Sequence, residues 1–244
     1  MQQLSKPMIS IVLPAYNEGK FIEKALKSLE SVVKDHYPYE VIVVNDGSED
    51  DTGSRILDYA SGNGHIQVVD YGTNVGKGYA VKKGFLRAHG DAVVFVDSDS
   101  DVDFHQISSY VDTLSHSDMV IGSKWHADSD VEVALFRRLL SRGFNVLVKA
   151  LTGLRVVDTQ TGLKAVKRNA FIEVFRRLSV KEFAFDVELL VLAEIFGLKV
   201  VEMPVKLKLD KDFSVRQAWR MLIDLLGITY RLRVKRWYQR ASKS

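Results

Sequence analysis

The sequence predicts an α/β protein: a doubly wound, mostly parallel sheet with helices on both faces and a basic, amphipathic helical tail. Three observations predict it. Short apolar runs rich in β-branched residues recur through the first 122 residues, too short for helices and typical of fully buried strands. Between them lie segments whose apolar residues repeat at the helical period, and this alternation marks a parallel sheet with crossover helices. Each run also ends in a polar cluster. Right-handed crossovers bring all those ends to one edge, where open α/β sheets bind ligands.

Residues 8–13 are the first strand. Pro14-Ala-Tyr-Asn-Glu18-Gly then turns the chain into a helix over about 18–34, with Phe21, Ile22, Ala25, Leu26, Leu29, Val32 and Val33 at helical spacing. Residues 41–44 are the second strand and end in Asn45-Asp46-Gly47-Ser48. Asp50 or Asp51 caps the next helix, with Ile56, Leu57 and Ala60 turned inward. Residues 66–69 are a third strand, after which Thr73-Asn-Val-Gly76-Lys77-Gly78 leads into a helix reaching Ala88. The strand at 92–96 is central, and a helix near 107–114 and a strand at 119–121 complete five alternations.

The central strand delivers Asp97, Asp99 and Asp101 at its C-terminal end. Alternate spacing lets at least two of these acids converge on a hard divalent cation, which takes oxygen ligands. A calcium-binding helix–loop–helix is excluded: its loop needs glycine sixth and glutamate twelfth, where this chain has Val102 and Ser108. Gly72 to Lys77 is one residue short of a P-loop, and Gly78 stands where that motif needs Ser or Thr. No G-x-G-x-x-G follows the first strand, which argues against a dinucleotide site. A nucleotide pocket closed by acids and a metal remains.

Beyond residue 122 the alternation breaks. Residues 133–151 read as a helix with Arg137, Arg138 and Arg142 near its start. Asp158-Thr-Gln-Thr-Gly162 is a loop, 163–166 a candidate strand, 185–196 an apolar helix, and 199–203 a strand closed by Pro204. These pieces extend the sheet and wall the crevice, giving one domain over 1–213 and a tail over 214–244. The tail reads as one helix to Tyr238, with Val215, Ala218/Trp219, Leu222, Leu225/Leu226 and Leu232 on a stripe.

Residues 216–244 carry a net +7 in a chain of net +3, which leaves −4 on the first 215 residues. A basic, apolar-faced tail with terminal aromatics suits an anionic membrane interface. Nucleic acid is not expected, because the basic residues adjoin an acidic body and no aromatic stacking platform. The chain has no cysteine, no hydrophobic leader at its first residues and no apolar run long enough to span a bilayer. The expected location is cytoplasmic, peripheral to the cytoplasmic face of a membrane.

Seven motifs carry a resemblance. Pro14-Ala-Tyr-Asn-Glu18, Val44-Asn-Asp46-Gly-Ser48, Asn74-Val-Gly-Lys-Gly78, Asp97-Ser-Asp99-Ser-Asp101, Gly122-Ser-Lys124, Asp158-Thr-Gln-Thr-Gly162 and Phe185-Asp-Val-Glu188 keep their order over nearly the whole chain. The chain resembles family 2 glycosyltransferases of the GT-A fold, and among them the polyprenyl (dolichyl) phosphate mannosyl- and glucosyltransferases. The resemblance implies that Pro14, Tyr16, Glu18 and Asp46 cradle the nucleotide, with Lys77 and Gly78 closing over it and Asp97 facing it. It implies that Asp97 and Asp99 are catalytic, and that Asp99 and Asp101 hold Mg²⁺ or Mn²⁺. Lys124, Arg137, Arg138 and Ser141 are implied to bind the acceptor phosphate. Relatives often carry Arg at Lys124, which loses its bidentate fork here, and Gln at Asp101, where an extra acid alters metal preference.

The implied reaction moves mannose or glucose, from GDP-mannose or UDP-glucose, to a polyprenyl phosphate with inversion. A lipid phosphate is largely dianionic at pH 7 and attacks without a general base; a hydroxyl acceptor needs one. The alternatives are a family 2 enzyme acting on a sugar or protein hydroxyl, and a non-catalytic regulatory partner of a membrane glycosylation complex.

Overall fold

The computed structural model describes residues 6–98, 103–132, 135–208 and 215–241, with backbone alone for 135–137, 215, 240 and 241. The chain runs β1 (Ile9–Ala15), α1 (Ile22–Val33), β2 (Tyr39–Asp46), α2 (Thr52–Ala60), β3 (Ile66–Tyr71), α3 (Lys77–Arg87) and β4 (Ala92–Phe95). A 3₁₀ turn (Phe104–Gln106), α4 (Ile107–Thr113), β5 (Met119–Ser123), β6 (Asp130–Glu132) and α5 (Leu135–Thr152) follow. Then come β7 (Lys164–Lys167), α6 (Arg168–Arg177), α7 (Phe185–Ile195), β8 (Val200–Pro204) and β9 (Lys206–Lys208). The C-terminal segment is α8 (Val215–Thr229), a π turn (Tyr230–Val234) and α9 (Trp237–Ala241).

Seven strands form one sheet in the order β3-β2-β1-β4-β7-β5-β8. All neighbours pair in parallel except at β7, which is antiparallel to β4 and to β5. β6 and β9 form a separate parallel pair. The insertion of β7 is the main departure from a simple doubly wound sheet. An antiparallel strand begins where its parallel neighbours end, so the loop before β7 arrives at the ligand-binding edge.

The strand period of two splits the core into two layers. Ile9, Ile11 and Leu13 of β1 face α1, α2 and α4. Val12 faces the opposite layer, with α3, α6 and α7, where Phe85 stacks on Phe175 at a ring separation of 3.8 Å. A Cβ on Gly84 would lie 2.3 Å from Val12 Cγ1, so glycine lets α3 settle on the sheet.

Two expectations are corrected, and one element appears that the sequence pattern had not assigned. Leu57 is half exposed, because it lies about 100° around α2 from the buried Ile56. The stretch Arg168–Arg177 is a helix, with Phe171, Val174 and Phe175 buried. The tail is not one helix to Tyr238: α8 ends at Thr229, and Arg236 takes a positive φ of 49° that turns α9 back onto the domain. Met221, Leu225, Ile228 and Tyr238 are buried there, so this part of the tail belongs to the core. The boundary expected at 213/214 lies outside the described residues. Of the two candidate caps of α2, Asp50 makes the bond: its Oδ1 accepts from Thr52 N at 3.0 Å.

A second apolar face remains uncovered. Trp219, Ile223, Leu226, Tyr230, Val234 and Trp237 are exposed along one side of the C-terminal segment, with Leu139 and Val146 exposed on α5. The exposed Arg216, Arg220, Arg233, Lys235 and Arg236 flank them. Among the described residues no helix is long and apolar enough to cross a membrane.

Candidate active site

The ends of β1, β2 and β4, the N-terminus of α3 and the loop before β7 enclose a crevice of about 1330 Å³. Pro14, Tyr16, Glu18, Asp46, Lys77 and Asp97 all line it. Pro14 closes β1 opposite Val44, and Tyr16 stands half exposed at the mouth. Glu18 N donates to Thr52 Oγ1 at 2.8 Å, which ties the turn after β1 to the start of α2.

Asp46 is almost fully buried at the end of β2. Its Oδ1 accepts from Val75 N at 2.9 Å, and its Oδ2 accepts from Gly76 N at 2.9 Å and Asn74 Nδ2 at 3.0 Å. Its carboxylate therefore shapes the 74–76 loop. That loop needs glycine: Gly76 has φ of 116°, and a Cβ there would sit 2.5 Å from Lys181 O. Gly78 does not line the crevice. It lies against Phe185 and Val180 O and lets α3 meet α7.

Lys77, the first residue of α3, reaches across to Asp97 with Nζ 2.5 Å from Oδ1. Gly162 backs the same carboxylate, since a Cβ there would lie 2.3 Å from Asp97 Oδ2. Beneath them Asp186 of α7 is buried, with Oδ1 3.0 Å from Lys164 Nζ, and Lys164 also donates to Thr161 O. Burial pushes the Asp186 carboxyl above its ordinary range, against the pull of Lys164 and Lys77. Two ammonium and two carboxylate groups thus form the floor of the crevice. Lys164 had no assigned role in the sequence, although it stands beside a quoted motif.

Asp99 and Asp101, expected to hold a metal, lie outside the described residues. Among the described residues no group of three or more His, Cys, Asp or Glu gathers to hold an ion. The donor chemistry at the end of β4 nevertheless fits a hard divalent cation: Asp97 shows that this end opens into the crevice, and the acids that follow it offer oxygen ligands.

On the side expected to meet an acceptor, Lys124 Nζ lies 3.0 Å and 3.1 Å from the two oxygens of Asp158, whose Oδ2 also accepts from Lys124 N at 2.9 Å. Burial raises the Asp158 pKa, but the Lys124 ammonium and backbone donors outweigh it and hold the carboxyl below its usual range. An ammonium has three donors, so this pair leaves one beyond it. Arg138 and Ser141 line the crevice from α5, while the side chain of Arg137 lies outside the described residues. Trp125 was not anticipated: the Arg142 and Arg138 guanidinium carbons sit 4.6 Å and 5.5 Å from its ring centroid. Farther out, Leu139, Leu140, Phe144 and Leu147 of α5 face Met221 and Leu222 of α8, and all line the same crevice.

Known proteins resemble this chain in sequence and in fold. A family model described as Glycosyl transferase family 2 matches residues 10–175. The Drosophila melanogaster dolichyl-phosphate beta-glucosyltransferase is 33% identical over 249 residues, covering 94% of this chain and 76% of that protein. The Homo sapiens protein of the same description is 32% identical over 249 residues, covering 94% and 77%. Among solved structures, glucosyl-3-phosphoglycerate synthase from Mycobacterium tuberculosis, in complex with uridine-diphosphate, has a TM-score of 0.70 and 21% identity. The match covers 92% of this chain and 79% of that one. The likeness is one of fold: a mostly parallel seven-stranded sheet between helices.

Proposed function

The chain belongs to glycosyl transferase family 2, and from that premise we propose that it transfers glucose from UDP-glucose to a polyprenyl (dolichyl) phosphate at a membrane surface. One observation carries the reading: a single crevice joins a charged floor at the strand ends to an apolar slot between α5 and α8. A soluble acceptor has no use for the slot. A phosphate on an isoprenoid chain needs both ends. The similarity to dolichyl-phosphate beta-glucosyltransferases favours glucose over mannose, and of the two expected donors UDP-glucose carries glucose.

In this reading Pro14, Tyr16 and Glu18 flank the nucleotide, and Asp46 acts through the loop it shapes. Lys77 and Asp97 meet the diphosphate end. Asp99 and Asp101 are the residues that would hold Mg²⁺ or Mn²⁺, which supplies positive charge against the leaving diphosphate. Arg138, Ser141 and the remaining donor of Lys124 receive the lipid phosphate, with Arg137 beside them in sequence. The phosphate dianion attacks the anomeric carbon from the face opposite the leaving group and needs no general base. Inversion of an α-linked donor gives a β-glucoside, in keeping with the relatives' description.

Residues 1–213 form the catalytic body in this reading, and 214–244 the segment that seats it peripherally on the cytoplasmic face. The exposed Trp219, Ile223, Leu226, Tyr230, Val234 and Trp237, flanked by basic residues, support that placement. The test is transfer of labelled sugar from UDP-glucose or GDP-mannose to dolichyl phosphate, with Mg²⁺, Mn²⁺ or chelator. Metal-dependent label in the organic phase from UDP-glucose alone is expected. Label delivered to a hydroxyl acceptor, or from GDP-mannose alone, overturns the reading.

A further inference from the structure

Glu188 is a fully buried carboxylate in α7, whose other charged residues are the buried Asp186 and the exposed Glu194. A buried charge persists only when its oxygens are satisfied, and here they are satisfied from two distant places. Oε2 accepts from Ser179 N at 2.8 Å and Val180 N at 2.7 Å. Oε1 accepts from Ser179 Oγ at 2.6 Å and from the Tyr238 hydroxyl at 2.5 Å, with Arg231 Nη2 at 3.4 Å. Arg231 Nε also donates to the Tyr238 oxygen at 2.8 Å. One carboxylate thus clamps the end of the C-terminal segment to the strand of loop that begins at Ser179.

That loop walls the donor end of the crevice. Lys181 O accepts from Tyr79 N at 3.1 Å in the first turn of α3. It also lies 2.5 Å from where a Cβ on Gly76 would be, and Glu182 and Phe183 line the crevice itself. A second tie runs from Arg220 of α8 to Glu182, at 3.4 Å. The path therefore passes from Tyr238 through Glu188 to residues 179–182, then to 76–79, and ends at Lys77 against Asp97.

We propose that Glu188 and Tyr238 are positioning residues for the sugar-nucleotide site, and that the docked C-terminal segment is the strut holding the donor loop in place. The proposal rests on the reading of the crevice as a nucleotide-sugar site, and deepens it: the segment offering its outer face to a membrane grips the donor loop with its inner face.

The test compares the full-length protein with Tyr238→Phe, which keeps the ring and removes one hydroxyl, and with Glu188→Gln. In hydrogen–deuterium exchange, Tyr238→Phe is expected to speed exchange at 179–185 and 76–79 by about tenfold, the scale of one lost hydrogen bond to a charged group. Amides of β1 and β2 stay at wild-type rates. In steady-state transfer the donor KM rises by a similar factor, while kcat and acceptor KM stay within about twofold. Exchange that quickens only within 230–241, or donor KM equal to wild type, overturns the proposal. If the wild type transfers nothing from UDP-glucose, the substrate reading fails, and the exchange result still decides the positioning role. If Glu188→Gln does not fold, Tyr238→Phe carries the test alone.

Discussion

Lys77 Nζ and Asp97 Oδ1 lie 2.5 Å apart and bridge the start of α3 to the end of β4 across the floor of the crevice. Neither side chain is fully exposed, so in the proposed reaction the pair would meet ligand charge in a partly dry setting, where preorganised groups act strongly. Lys77→Met is expected to lower kcat/KM for the donor by about 10²-fold or more. Thermal melting should fall modestly, since the ammonium also offsets the charge of the buried Asp186, so transfer is compared on the folded protein. Retained transfer in a folded variant rules out this role.

Gly162 makes a sharper probe of Asp97. A methyl group there falls 2.3 Å from Oδ2, so Gly162→Ala must displace the carboxylate from its place beside Lys77 or force the 158–162 loop to move. Transfer should drop toward the level of Asp97→Asn, at a stability cost of about 1–3 kcal/mol from overpacking. Urea melts and transfer rates on the same samples check both halves. A fully active Gly162→Ala shows that the positions of Asp97 and of this loop do not matter.

Asp158 predicts an acid limb in stability. Its folded pKa is depressed, so its contribution is complete above the unfolded value of about 3.9. It is lost as pH falls from there through the lower folded pKa. Asp158→Asn strands the Lys124 ammonium, and breaking a buried pair from one side costs about 3–5 kcal/mol. Melts at neutral pH should show that loss, and a variant with wild-type stability counts against the pair. Below the folded pKa the difference between wild type and variant should shrink.

The two faces of α8 predict opposite behaviours. Trp219→Glu with Ile223→Glu alters only exposed positions, so melting should be unchanged. Sedimentation with anionic vesicles should fall at least tenfold, given about 1.5–3 kcal/mol for each large apolar side chain removed from water. Leu225→Ala, on the buried face, should instead cost about 2–5 kcal/mol and leave vesicle binding of the folded fraction intact. Deleting the segment is a poor substitute, because it uncovers the core around Leu225, Ile228 and Tyr238. Undiminished vesicle binding by the double variant removes the stripe as the contact surface.

Much of this was legible in the sequence, and the exceptions share a cause. The strands β1, β2, β4 and β5 are short, β-branched and buried, so local pattern alone located them. Pro14, Asp46, Lys77 and Asp97 could be gathered into one crevice because parallel topology collects strand ends. The insertion of β7 between β4 and β5 depends on pairing across some 70 residues (Phe95 with Lys164), which no local pattern encodes. The three-residue strands β6 and β9 pair just as remotely. α6 was within reach, since Phe171, Val174 and Phe175 recur at helical spacing, but its short apolar stretch between basic residues gave a weak signal. For the tail, period alone merged two faces: Leu225 goes inward while Trp219 and Leu226 stay in solvent. The sequence also could not reveal that the Asp46 oxygens are occupied by the 74–76 loop.

The antiparallel insertion also has a consequence for synthesis on the ribosome. β4 pairs with β1 on one side, but its other edge stays bare until β7 emerges, roughly 70 residues later, which takes about 4–14 s at typical elongation rates. During that interval the nascent chain presents Ala92–Phe95, an unpaired apolar strand edge of the kind that recruits foreign strands. Chaperone demand should therefore be concentrated in the middle of translation and fall once residue 167 is free to pair.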